Sequence, residues 1–267
     1  MAKANINIPL PASFSGSIGN FSIVTNQYGT TFLRAKGGGT KEQIATLPSF
    51  EPTRNQNVEF GGASKGASML GNAMESVKHL NNINVQGYCT GLINILFELD
   101  PGIPGSRPII FSRAKHLIEG MQLHSKHSFD SVVTTPISFT IDRNEHQAIL
   151  QLPSIVPGRN LINPWPQYPL FRVRMNLGII RDMEYVEGFG YKPVLEDITG
   201  YTESLNTEWY QVNSMVPGQE VGLKILDPVF DESCHLLLSI GIEFATLAYG
   251  RVKPVKKAGC AKVLGMG

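Results

Sequence analysis

Residues 171–179 read FRVRMNLGI. Phe171, Val173, Met175, Leu177 and Ile179 alternate with Arg172, Arg174, Asn176 and Gly178. A period of two places the apolar set on one face of a strand and the polar set on the other. The same period recurs on both sides of this run. Ile137, Phe139 and Ile141 alternate with Ser138, Thr140 and Asp142, and Leu236, Leu238, Ile240, Ile242 and Phe244 form a third run. Turn signals VPGRN, VPGQE and GFGYKP separate the runs. Roughly six to eight strands at this spacing predict an antiparallel β-sandwich over residues 131–250. No strand–helix alternation is present there, so a doubly wound parallel sheet is not expected.

Upstream, residues 51–130 read as helical. Pro52 and Thr53 open a helix, and Phe60, Ala63, Ala67, Leu70, Met74 and Val77 then step by three and four. Gly61, Gly62, Gly66 and Gly71 interrupt it, each at about 1 kcal/mol against alanine. Close approach of another backbone would offset that cost. A second helix is predicted over 86–98, where Tyr88, Leu92, Ile95 and Leu99 form a stripe and Ile93 and Phe97 add apolar surface opposite. Apolar nearly all round, it should be buried. DPGIPGSRP ends it. Ile110, Ala114, Leu117 and Met121 predict a third helix over 110–123. Residues 1–50 are rich in Gly, Pro, Ser and Thr around FSIVT and TTFLRA, and read as an extended arm with short strands. Residues 251–267 read as a basic C-terminal tail. The expected whole is α+β, with an N-terminal β/helical portion packed on the sandwich.

The chain has 267 residues, 42% apolar, which excludes wholesale disorder. Only 17% are charged, below the roughly 25% of an ordinary domain, as suits surfaces buried against neighbours. The net charge of +1 argues against a bulk nucleic-acid binder. Cys89, Cys234 and Cys260 lie far apart, without metal spacing or the even count of a disulfide framework. MAKANINIPLPASF lacks the apolar core of a Sec signal, and LLLSIGIEFATLAYG carries Glu243, so neither export nor membrane insertion is expected.

Candidate chemistry is sparse. SGSIGN (15–20) and GGGTKEQ (37–43) suggest a phosphate loop, but neither fits. A P-loop needs lysine directly after its last glycine, and a dinucleotide fingerprint needs G-x-G-x-x-G between strand and helix. SGSIGN reads instead as a tight turn. His124 and His127 would share a helix face with His116 nearby, yet no carboxylate or cysteine completes a metal set. Cys234 and His235 are strand neighbours and point to opposite faces, so they do not form a nucleophile–base pair. Asp231 and Glu232 sit beside a turn, and no G-x-S-x-G elbow occurs. No cofactor, metal or catalysis is expected.

Two features suggest contacts. Trp165 and Tyr168 lie in a loop stiffened by Pro164, Pro166 and Pro169, while Trp209 and Tyr210 are adjacent in NTEWYQV. Such aromatics lose little entropy on binding, although Trp165 could equally fold back over one end of the sandwich. Asp182–Glu232 carries eleven acids and two bases, and Arg251–Lys262 carries five bases and no acid. Arg251, Lys253, Lys256 and Lys257 lead that basic stretch. Segregated charge lets copies attract one another, though the basic stretch could also bind nucleic acid or an anionic surface, or simply be solvated.

Gly16, Gly19 and Asn20, then Phe32, Arg34 and Lys36, then Pro52, Thr53 and Gln56 together resemble the opening of an uncharacterised family of Bacteroidota proteins. Its members begin with G-x-x-G-N, continue to Y-x-R-x-K, enter a helix through N-P-x-T-x-x-Q, and finish in a β-rich half. The glycine-broken first helix and the stretch GGGTKEQIATLPS depart from that pattern. The resemblance implies a fold layout and a bacterial or phage origin, and no catalytic residue. The functional expectation is a non-enzymatic structural protein that assembles with copies of itself into a filament, tube or phage-particle component. Other structural proteins are further partners, and synthesis is cytoplasmic. The alternative is a carbohydrate- or ligand-binding sandwich module using Trp165, Tyr168, Trp209 and Tyr210.

Overall fold

Glycine 19 settles the SGSIGN stretch. Its φ of 53° is the left-handed conformation that glycine adopts freely, and it turns strand β2 (Gly16–Ile18) back onto β3 (Phe21–Thr25). The computed structural model describes residues 6–7, 15–25, 29–195, 201–226 and 228–267. They form two units, Met1–Arg54 and Asn55–Gly267. In the first, β1 (Ile6–Asn7), β2, β3 and β4 (Thr31–Ala35) make an antiparallel sheet in the order β1-β4-β3-β2. GGGTKEQ is a helix start. Thr40 Oγ1 accepts from Gln43 N at 3.2 Å, and Gln43 Oε1 accepts from Thr40 N at 2.8 Å. This capping box opens α1 (Lys41–Thr46). Arg54 closes α1 by donating to the Ile44 and Leu47 carbonyls.

The second unit holds most of α2 (Glu51–Ala73), then α3 (Val85–Leu99), the one-turn helices α4 (Lys115–Ile118) and α5 (Phe129–Val132), and ten strands. These are β5 (Ser138–Asp142), β6 (Gln147–Leu152), β7 (Leu170–Arg181), β8 (Met183–Val186), β9 (Gly190–Pro193), β10 (Thr202–Asn206), β11 (Tyr210–Gln211), β12 (Gln219–Lys224), β13 (Cys234–Ala248) and β14 (Arg251–Met266). The large antiparallel sheet runs β10-β7-β13-β14, with β11 also on β7. Two smaller sheets are β12-β6-β5 and β8-β9. The fold is therefore mixed α+β, with N-terminal strands and helices and C-terminal antiparallel sheets.

Both faces of β13 are buried, because two apolar clusters meet it. Phe171, Val173, Met175, Leu177 and Ile179 join Leu236, Leu238, Ile240, Ile242 and Phe244 in one, together with Leu150 of β6 and Leu223 of β12. Leu237, Ala261 and Val263 face the other, among Ala63, Ala67, Leu70, Ile93 and Phe97 of the helices. Gly62 lets the Tyr191 ring lie on α2, since a Cβ there would sit 2.4 Å from the ring. Tyr191 then donates to the Arg107 carbonyl at 2.8 Å, and Arg107 makes a two-pronged pair with the largely buried Glu59. So Gly62 and Gly66 admit side chains, where a backbone approach is expected from the sequence, and Gly61 and Gly71 have nothing within 4 Å of a Cβ.

Three expectations are corrected. Residues 251–267 are no tail: β14 pairs with β13, and Ala258–Ala261 and Val263–Met266 are buried. The third helix shrinks to a 3-10 turn (Phe111–Ala114) and α4, because Gly120 turns at φ 80° and the next residues join the edge of β14. Gly120 N and Leu123 N donate to the Val263 and Ala261 carbonyls at 3.0 and 2.8 Å. The stripe on α3 is met only in part: Leu92 is buried, but Tyr88, Ile95 and Leu99 are exposed, and Cys89, Ile93, Leu96 and Phe97 complete the buried face.

All three cysteines are buried and free. Burial pushes the Cys89 thiol up to about 11 and raises Cys260 further, with Asp130 adding to the latter. The native protein at pH 8 should therefore show no titratable thiol to Ellman's reagent, and three after denaturation. A fast-reacting native thiol would contradict this packing.

Candidate functional site

Backbone bonds from Leu123 to β14 anchor the loop Leu123–Ser128 at one end, and the Ser128 cap of α5 anchors it at the other. Within it, His124 Nδ1 accepts from the backbone N–H of Lys126 (3.3 Å) and His127 (2.9 Å). An accepting Nδ1 places the ring proton on Nε2. Burial, with the nearby His127 and Lys126 charges, holds His124 below its ordinary pKa, so the ring is neutral. His127 lies 5.2 Å from it, and Trp165 packs edge-on at 5.9 and 5.1 Å from the two rings. The Phe244 ring also lies against Trp165, at 5.2 Å. His124, His127 and Trp165 thus come together, whereas His116 is exposed on α4. Among the described residues no group of three or more His, Cys, Asp or Glu is placed to hold a metal ion.

In front of His124 lies a groove of about 630 Å³. One wall is the start of α3, where Asn84 caps the helix by accepting from Gly87 N at 3.1 Å and Tyr88 stands half-exposed. The other is Gln122, Ser125 and Ser128. Asn82 ties the walls together: its Oδ1 accepts from Ser125 N at 2.7 Å.

The remaining candidates are spread over the large sheet. Glu243 on β13 stands opposite Arg172 on β7. Its carboxylate accepts from Arg172 Nε (2.8 Å) and Arg174 Nη1 (3.1 Å) and meets His79 Nε2 at 3.2 Å. Trp209 covers the Arg172 guanidinium at 4.4 Å. Tyr210 packs on Phe171 at 5.8 Å, and Tyr168 packs on the same cluster. Each of the four aromatics therefore has protein against it.

Arg251, Lys253, Lys256 and Lys257 are exposed. They belong to a hairpin whose two-residue turn, Tyr249 (φ 52°) and Gly250 (φ 74°), is of the type that matches strand twist. Lys262 is instead engaged by Asp130. Of the acids, Glu196, Asp197 and Asp227 lie outside the described residues. Asp182 accepts from Phe111 N at 2.8 Å and meets His235 Nε2 at 3.1 Å, while Asp231 holds Ser233 and Cys234. Cys234 and His235 thus have separate partners.

Sequence reading misses Asn84, Gln122 and Ser128 as site residues, because single amides and hydroxyls carry no spacing signal. Comparison with known protein families, curated proteins and solved structures finds no match.

Proposed function

We propose that this protein is a non-enzymatic structural component that assembles with copies of itself through the edges of its large sheet. The smaller sheet β12-β6-β5 and the large sheet form the sandwich of the building block. The observation that carries this is the β13–β14 hairpin. Tyr249 at its tip is fully exposed at 105%, beside exposed Leu247 and Val252 and the four basic residues. An apolar tip ringed by charge suits a protein contact.

Edge geometry supports the same reading. Among the described residues, only Ala261–Val263 on the outer side of β14 is covered by backbone bonds, to Gly120–Leu123. The opposite edge strand, β10, carries exposed Glu203, with exposed Glu208 just beyond it. A basic edge on one copy meeting an acidic edge on the next is a head-to-tail contact, which propagates into a ring or filament.

Deleting residues 251–267 would remove a core strand, so the test uses point variants. Wild type should scatter light as particles far above 29.2 kDa at low salt, and shrink at high salt. The pair Arg251→Glu with Lys253→Glu, or Tyr249→Ser with Leu247→Ser, should reduce it to the monomer with an unchanged melting curve. A wild-type monomer at both salts would overturn the proposal.

A further inference from the structure

We propose that the groove between the start of α3 and the loop Leu123–Ser128 is a binding site for a neutral carbohydrate, with Tyr88 as its stacking face. This site uses none of the hairpin-tip residues on which the proposed assembly rests, and does not depend on assembly.

The lining decides the ligand class. No carboxylate, lysine or arginine lines the groove, and His124 is neutral. A phosphate or carboxylate would meet no charged side chain there, only the α3 N-terminus, and an ammonium group would lose its hydration without gaining a counter-charge. The polar side chains are amides, hydroxyls and one imidazole N–H, the set that exchanges hydrogen bonds with sugar hydroxyls. Gln122 is engaged by Phe129 N and Asp130, and Ser125 by Asn82, so the spare capacity lies on Asn84 and Ser128. Asn84 spends its Oδ1 on Gly87 N and keeps its amide N–H groups. Ser128 Oγ accepts from Ser131 N at 3.2 Å and keeps its hydroxyl proton.

His124 points to a ligand independently of these. It is 5% exposed, and its Nδ1 is taken by two backbone N–H groups. Its Nε2–H has no partner among the described residues. That nitrogen is not sealed from solvent, so an incoming oxygen would take the place of water on it. Tyr88 supplies the remaining element. It is 46% exposed and lines the groove beside Gly87, an aromatic surface of the kind that takes the flat apolar side of a pyranose. A volume of about 630 Å³ lies within the range of small-molecule pockets.

The test is saturation-transfer NMR on the full chain. The probes are glucose, galactose, mannose, N-acetylglucosamine, maltose and cellobiose, each at about 10 mM, a level that detects millimolar sites. N-acetylneuraminic acid and inorganic phosphate are the charged controls. At least one neutral sugar should show transfer, and its binding should perturb Trp165 emission in a Trp209→Phe background, because His124 and His127 touch that indole. Tyr88→Ala alters an exposed side chain, so its melting curve should match wild type while affinity falls about tenfold. Absence of transfer from every neutral sugar overturns the proposal. So does equal affinity in the folded Tyr88→Ala variant, or a charged control that binds more tightly than any neutral sugar.

Discussion

Glu243→Ala should cost about 3–5 kcal/mol of folding stability, the usual loss when one partner of a buried ion cluster is removed. Glu243 is only 4% exposed, and its loss strands Arg172 and Arg174, themselves largely buried. Burial alone would raise the carboxyl pKa. Hydrogen bonds from His79 and Arg172, the Arg172 charge and the Arg174 bond outweigh it, and hold the group at about 2 against an ordinary 4.5. A depressed folded-state pKa gives stability that is complete above the ordinary value and is lost as pH falls from about 4.5 towards about 2. That contribution is about 3 kcal/mol. Urea titrations of wild type and Glu243→Gln at pH 7 and pH 2.5 test this. The gap between the two proteins should be wide at neutral pH and mostly closed in acid. An equal gap at both would mean that Glu243 is not ionised in the folded protein.

The same cluster marks the limit of what alternation can reveal. FRVRMNLGI identifies a strand and names the five residues that enter one core cluster. Its other face, Arg172, Arg174, Asn176 and Gly178, looks solvent-directed, because charge, amide and glycine are what such faces carry. Yet the arginines are occupied by Glu243, which lies about seventy residues away in sequence, and Asn176 is fully buried. Period-two patterning reports side-chain chemistry and is blind to partners brought in by topology. Helix α3 shows the converse. Apolar nearly all round, it leaves periodicity nothing with which to choose a face, and Tyr88 reads as core when it borders an open groove. The groove itself depends on Asn82 meeting Ser125 across 43 positions, a contact that no local pattern encodes. T-x-x-Q in GGGTKEQ, by contrast, is a capping box legible from local spacing alone.

Gly178→Ala should be the most damaging single-methyl change among the described residues of the large sheet. A Cβ at this position would lie 2.3 Å from the Ala73 carbonyl oxygen and 2.7 and 2.8 Å from its Cα and carbonyl carbon. These are backbone atoms, so no rotamer change relieves the clash, and the end of α2 must lift from β7. That end is also held by Asn176 Nδ2, which donates to the Ala73 carbonyl at 2.6 Å. Lifting α2 therefore leaves a buried amide without its acceptor and opens the packing of Leu70 and Met74. Overpacking with a broken buried hydrogen bond costs about 3 kcal/mol or more. Gly71→Ala is the matched control. It lies two residues earlier on α2, nothing stands within 4 Å of its Cβ, and alanine should stabilise the helix by about 0.5–1 kcal/mol. Opposite signs in paired urea titrations would place the end of α2 on the sheet at Gly178. Two stabilising changes would remove that contact, and with it the reason why a strand so polar on one face is buried on both.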